Sequence, residues 1–192
     1  MKMPRLIIFL LCLIPLGLTL YGAINNTLGA NPAETMNRNM GDWALYYLMM
    51  TLSATPINRV FGWNGILRYR RMLGLYTFFY GCVHFLTYIW FDHYFNGSEI
   101  IDDIVKRPFI TLGFISLVLL LPLAITSNRF MVKKLKRNWL RLHKIVYLVA
   151  ILCVIHFFLM VKADYYEPLI FAIILMILLG SRIILSLKNK KL

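Results

Sequence analysis

The amino-acid sequence predicts an all-α membrane protein, built as a six-transmembrane helix bundle with both termini in the cytoplasm. Three observations predict this fold class: an apolar composition, six separate apolar blocks and a one-sided distribution of charge. Of the 192 residues, 60% are hydrophobic and only 15% are charged, whereas a soluble domain is about half apolar and a quarter charged. A soluble enzyme, a disordered tail and a disulfide-stapled secreted module are therefore poor fits.

Six apolar blocks have about the length that a helix needs to cross a bilayer, which is about 20 residues. They cover residues 6–24, 43–60, 72–91, 109–125, 139–161 and 168–187. The first is expected to be an uncleaved helix rather than a signal peptide. The second is the weakest, because Thr55-Pro56 is expected to kink the helix or end it early. Connections are short and no internal repeat is recognised, so we expect one transmembrane domain over residues 1–192.

Charged residues are divided unequally between the two sides of such a bundle. Of the 21 Lys and Arg residues, sixteen fall on the side of the termini, four fall on the other side, and Lys144 lies just inside the fifth block. All eight acidic residues fall on the side opposite the termini. Because cytoplasmic loops of membrane proteins are rich in Lys and Arg, this distribution places both termini in the cytoplasm. The net charge of +13 therefore indicates orientation and contact with membrane lipid rather than nucleic-acid binding.

Two histidines lie inside predicted spans at matching depth. His84 is thirteen residues beyond Arg71 and His156 is fifteen beyond Arg141, so both rings lie roughly 20 Å from their basic ends. An ionisable ring inside a bilayer is costly and suggests a functional site. Two facing imidazoles can hold a haem iron from both sides. The open alternative is two separately buried histidines, each bonded to a neighbouring helix.

The other histidines are less easily assigned. His143 lies roughly 20 Å below His156 along the predicted helix, but Arg70 and Arg71 occupy the matching position of the third span. His143 could thus be an interfacial polar residue, a contact to a haem propionate or a quinone, or an alternative or second-haem ligand. Arg68, Arg70 and Arg71, close together at the entrance of the third span, could pair with haem propionates, a flavin phosphate or an acidic electron donor, or only set orientation. His93 is predicted to be a surface histidine.

Six strings occur in order along the chain: LGANP at 28–32, TPINR at 55–59, RRMLGL at 70–75, KRPFITLG at 106–113, AITS at 124–127 and WLRLHKIVYL at 139–148. With the surroundings of His84 and His156, they resemble the MsrQ family, formerly YedZ. The resemblance covers nearly the whole chain.

The resemblance implies a ferric-reductase-like transmembrane domain with b-type haem in the bacterial inner membrane. It implies a non-catalytic subunit that passes electrons from the quinone pool to a periplasmic, molybdenum-containing methionine sulfoxide reductase of the MsrP type. The family's three characteristic histidines match His84, His143 and His156, and the lack of a lower histidine in the third span favours one haem between His84 and His156. FMN is also associated with the family, although no phosphate-binding Gly-rich loop indicates its site.

Two other classes of protein stay open. One is a small membrane transporter or proton-relay protein with buried histidines and no haem, and the other is a structural subunit that uses them for helix packing. A transporter is expected to show paired repeats or interrupted helices. No repeat is recognised, although Pro15, Pro56 and Pro122 would allow interrupted helices.

Overall fold

Long apolar runs in this chain fold as helices, which satisfy their own backbone hydrogen bonds away from water. The computed structural model describes residues 5–188, and this part contains nine α-helices, one 3-10 helix and no strand. The elements are α1 (Arg5–Ile24), α2 (Pro32–Phe61), the 3-10 helix (Asn64–Arg68), α3 (Arg70–Phe91), α4 (Gly97–Lys106), α5 (Pro108–Ile125), α6 (Arg129–Leu135), α7 (Arg137–His143), α8 (Ile145–Met160) and α9 (Tyr166–Lys188). The all-α prediction is confirmed.

Within residues 5–188, five helical stretches are long and apolar enough to cross a membrane. They are Arg5–Ile24, Arg70–Phe91, Pro108–Ile125, Arg137–Met160 and Tyr166–Ile184, and they correspond to the first, third, fourth, fifth and sixth predicted blocks. Several spans of this kind are typical of a multi-pass membrane protein. Helix α2, which contains the second predicted block, is not among these five.

Helix α2 is central to the packing, which explains why it is less apolar than its neighbours. It contacts α1, α3, α8 and α9, and its side chains Met40, Leu48 and Leu52 are at most 1% exposed. A helix surrounded by protein does not need a lipid-facing apolar surface, so polar residues are tolerated along it.

Pro56 was predicted to kink α2 or to end it early. The helix does not end there, because it continues to Phe61. Proline has no N–H, so the carbonyl of Leu52, one turn earlier, loses its helical donor. Arg182 of α9 replaces that donor, with Nη2 2.8 Å from the Leu52 oxygen. The helix ends at Gly62, whose φ of 67° is the left-handed conformation that closes many helices.

A second helix pair, α5 and α8, packs beside the α2–α3 pair, with α3 contacting α5. The predicted fifth span is divided, because α7 ends at His143 and α8 begins at Ile145.

Helix α4 was not predicted, and it explains why the prediction of a surface position for His93 is wrong. The side chain of His93 is only 10% exposed. Its Nε2 lies 3.1 Å from the Asp103 carboxylate of α4 and 2.9 Å from the Tyr88 hydroxyl of α3. His93 thus ties α4 to the end of α3.

Candidate functional site

His84 of α3 and His156 of α8 face each other in the interior of the bundle. Their ring centroids are 6.3 Å apart and their planes differ by 75°. Two imidazoles on opposite sides of one metal, with metal–nitrogen bonds of about 2 Å and ring centres about 1.1 Å further, have centroids about 6.2 Å apart. The separation of the two rings therefore fits one shared metal.

Backbone carbonyls determine which nitrogen of each ring is free. His84 Nδ1 lies 2.9 Å from the carbonyl oxygen of Asn37, and His156 Nδ1 lies 2.6 Å from that of Phe109. A carbonyl can only accept, so each Nδ1 carries the proton and donates it. The lone pair is then on Nε2, the usual arrangement of a metal-binding histidine held by its second nitrogen.

The two rings line a cavity, here called the histidine cavity, with about 1020 Å³ of space free of protein atoms including its opening. Its walls are mostly apolar and include the aromatic rings of Phe85, Phe114 and Phe157. Within the described residues, no group of three or more His, Cys, Asp or Glu side chains is placed to hold a metal ion. Two imidazoles in an apolar cavity suit an iron whose other four ligands come from a macrocycle.

One corner of the histidine cavity is charged. Arg38 and Asp42 of α2 line it, and the Arg38 guanidinium lies 2.7 Å from Glu167 and 4.0 Å from Asp42. Asp42 lies one residue before the predicted span 43–60. Burial raises the pKa of its carboxyl to about 6, with Arg38 acting in the opposite direction.

A second cavity, here called the basic cavity, lies toward the other ends of α3 and α5 and contains about 1320 Å³ of space free of protein atoms including its opening. Four cationic side chains line it together with His143: Arg70, Arg71, Arg129 and Lys133. The structure therefore brings the predicted residues Arg70, Arg71 and His143 together, whereas Arg68, predicted with the other two arginines, does not line this cavity. Such a cluster suits an anionic group.

His143 is not opposite another histidine. Its ring stacks on Trp139 with centroids 4.0 Å apart, and its Nε2 lies 3.0 Å from the Thr126 hydroxyl. Trp139 in turn donates its indole N–H to the Thr126 carbonyl at 3.0 Å. The role of Thr126 was missed at the sequence level, because a threonine near a helix end has many ordinary explanations.

Comparison with known proteins places the chain in a family. The model of the family described as "Ferric reductase like transmembrane component" matches residues 40–154. The "Protein-methionine-sulfoxide reductase heme-binding subunit MsrQ" of Herminiimonas arsenicoxydans is 49% identical, over 92% of this chain and 82% of the relative. The protein of the same name from Rhodospirillum rubrum is 47% identical, over 99% of this chain and 92% of the relative. The one from Azospira oryzae is 45% identical, over 92% of this chain and 77% of the relative. No solved structure matches. The chain therefore belongs to the MsrQ family of ferric-reductase-like transmembrane proteins.

Proposed function

We propose that this protein is a haem-carrying membrane subunit that passes electrons from the quinone pool to a periplasmic methionine sulfoxide reductase of the MsrP type. One haem b is held between His84 and His156. The observation that carries the proposal is the pair of imidazoles 6.3 Å apart, each with Nδ1 bonded to a carbonyl. The relatives described as heme-binding subunits support it.

Each protein group in the histidine cavity then has a defined task. His84 and His156 would hold the haem iron through Nε2, and the carbonyls of Asn37 and Phe109 hold the rings in the required tautomer. A haem held by two histidines would supply a one-electron carrier. The apolar walls exclude water, and the subunit itself needs no acid–base pair.

The basic cavity is proposed as the electron entry region. Arg70, Arg71 and His143 would contact the oxygen atoms of a quinone, the phosphate of FMN or the carboxylates of a haem. Guanidinium groups donate hydrogen bonds to neutral carbonyl oxygens and pair with anionic phosphate and carboxylate groups. A second haem in this region would have His143 as its only histidine ligand among the described residues, because the His143 ring contacts Trp139 and Thr126 and faces no other histidine. One haem is therefore proposed.

The proposed topology is a single domain over residues 1–192, with the six spans 6–24, 43–60, 72–91, 109–125, 139–161 and 168–187 in the bacterial inner membrane and both termini in the cytoplasm. The charged pairs support this orientation. Three ion pairs lie on the acidic side of the bundle: Arg38–Glu167, Lys106–Asp102 and Arg107–Asp103. The basic cavity lies at the opposite end. The histidine cavity then lies nearer the periplasm, where the MsrP-type partner would accept electrons.

The ligand assignment is tested by the absorption spectrum of protein purified from cells supplied with haem. We expect a low-spin, six-coordinate spectrum that is lost or altered in His84→Ala and in His156→Ala. His93→Ala is the matched control, because His93 contacts α4 outside the cavity, and it should leave the spectrum unchanged. A colourless wild-type protein would support the transporter or proton-relay alternative instead.

The electron entry region is tested by reduction of the bound haem with a quinol in membrane vesicles. Arg70→Gln and Arg71→Gln should slow reduction, because each removes a charge from the basic cavity. Arg68→Gln is the matched control: this arginine is close in sequence but does not line the cavity. Equal rates in all three variants would refute the assignment of the basic cavity.

A further inference from the structure

The two histidines are presented by two copies of one arrangement, shifted by 72 residues along the chain. The carbonyl that accepts from His84 lies 47 residues before it, at Asn37, and the carbonyl that accepts from His156 lies 47 residues before it, at Phe109. Helices α2 and α3 therefore correspond to α5 and α8. The expectation that the chain lacks an internal repeat is wrong at the level of structure.

The lining of the histidine cavity follows the same shift. Within the described part of the chain, every lining residue other than Thr77 has a counterpart 72 positions away in the same lining. Five of these ten pairs differ in residue type, as with Arg38 and Ile110, and the other five keep the same type. The pairs that keep the same type include the two histidines and two glycines, Gly41 and Gly113.

Each of these glycines lies directly against one imidazole. A Cβ atom added at Gly41 would lie 3.0 Å from both Cε1 and Nδ1 of His84, and one added at Gly113 would lie 3.0 Å from Cε1 and 3.1 Å from Nδ1 of His156. Carbon atoms in ordinary contact are about 3.5–4.0 Å apart. Each ring therefore occupies the space that a side chain would fill.

The glycines and the carbonyls act on the same edge of each ring. Gly41 follows Asn37 by one helical turn, and Gly113 follows Phe109 by the same interval. Glycine inside a helix is less favourable than alanine, and both glycines lie inside helices. Its presence at both equivalent positions thus has a local reason, which is the contact with the imidazole.

We propose that Gly41 and Gly113 are positioning residues that fix the ring planes of His84 and His156. They thereby influence the midpoint potential and the g-values of the bound haem. This inference rests on the proposed function. The absence of a side chain lets each ring approach the helix backbone, and the carbonyl one turn earlier then holds Nδ1. An added methyl group displaces the ring, weakens this hydrogen bond and rotates the axial ligand.

The first test compares Gly41→Ala and Gly113→Ala with the wild type by the midpoint potential and by the electron paramagnetic resonance spectrum of the oxidised protein. Both variants should shift the potential and the g-values, because these depend on ligand orientation and hydrogen bonding. Gly17→Ala and Gly180→Ala are matched controls, since an added Cβ there meets no atom within 4 Å. Unchanged spectra and potential in both cavity variants, with haem bound, would overturn the inference.

The second test does not require haem. Gly41→Ala should lower the thermal unfolding temperature of the haem-free protein, but not in a His84→Ala background, where the clashing ring has been removed. The His156→Ala background should leave the effect of Gly41→Ala intact. Equal destabilisation in all three backgrounds would show that Gly41 serves general helix packing, and would overturn the inference. A wild-type protein without haem would instead refute the proposed function, whatever the result of this comparison.

Discussion

Arg182 is predicted to stabilise the fold chiefly by compensating for a proline in another helix. Its Nη2 donates to the Leu52 carbonyl at 2.8 Å, which Pro56 leaves without a helical donor. Its Nη1 donates to the Tyr147 hydroxyl, and its guanidinium lies over the Tyr147 ring at 5.0 Å from the centroid. Replacing Arg182 with methionine keeps much of the side-chain length but removes both donors.

The magnitude follows from these contacts. Two hydrogen bonds from a charged group contribute about 1.5–3 kcal/mol each, but methionine avoids much of the cost of burying a charge. We therefore expect Arg182→Met to lower the free energy of unfolding by about 2–3 kcal/mol. In a Pro56→Ala background, residue 56 supplies an N–H to Leu52, so the loss should shrink by about 1–1.5 kcal/mol.

The assay is reversible unfolding of the purified protein in mixed detergent micelles, with all four proteins of the cycle measured together. Pro15→Ala is the matched control, because Pro15 lies in α1 and its effect should add to that of Arg182→Met. The reasoning is refuted if Arg182→Met costs the same in the wild-type and Pro56→Ala backgrounds.

Three further predictions concern single side chains. Asp42→Asn should flatten the pH dependence of the haem potential. In the wild type, the potential should fall as the pH rises through about 6, the pKa of this carboxyl, because ionised Asp42 stabilises the more positive oxidised iron. Equal pH dependence of the potential in redox titrations of the wild type and Asp42→Asn would contradict this prediction. Thr126→Val should change the rate of quinol reduction without changing the haem spectrum, because Thr126 contacts His143 at 3.0 Å and does not line the histidine cavity; an altered spectrum would argue against separate roles for the cavities. Tyr80→Phe should lower the free energy of unfolding by about 1–2 kcal/mol, since the fully buried Tyr80 hydroxyl accepts from Leu16 N–H and donates to the Cys12 carbonyl. An unchanged free energy of unfolding would show that Leu16 and Cys12 of α1 satisfy each other when the hydroxyl is removed.

Apolar runs were enough to predict the five membrane-length helical stretches and their approximate bounds, because a bilayer imposes length and hydropathy on each lipid-facing segment. Helix α2 is the informative exception. Because α2 packs among α1, α3, α8 and α9, much of its surface does not face lipid, and the hydropathy of its sequence is a weaker indicator of a membrane span. The sequence also misled at Pro56, since the arginine that compensates for it is 126 residues away at Arg182.

The spatial pairing of His84 and His156 could be anticipated by counting residues from their basic helix ends, because helical rise is constant. Their carbonyl partners could not, since every residue carries a carbonyl and residue type does not mark which one is free to accept. The glycines at 41 and 113 were equally hidden, because a helical glycine is informative only when its neighbour is known. His93 was misplaced because α4, which supplies Asp103, lacks the length of a membrane span.

The most direct test of the central claim is the electron paramagnetic resonance spectrum of the oxidised, purified protein, recorded for the wild type and for the His84→Ala, His156→Ala and His143→Ala variants. The account predicts a low-spin ferric signal that disappears in His84→Ala and in His156→Ala and persists in His143→Ala. A low-spin signal that survives loss of both His84 and His156, or one that depends on His143 in place of either, would contradict it.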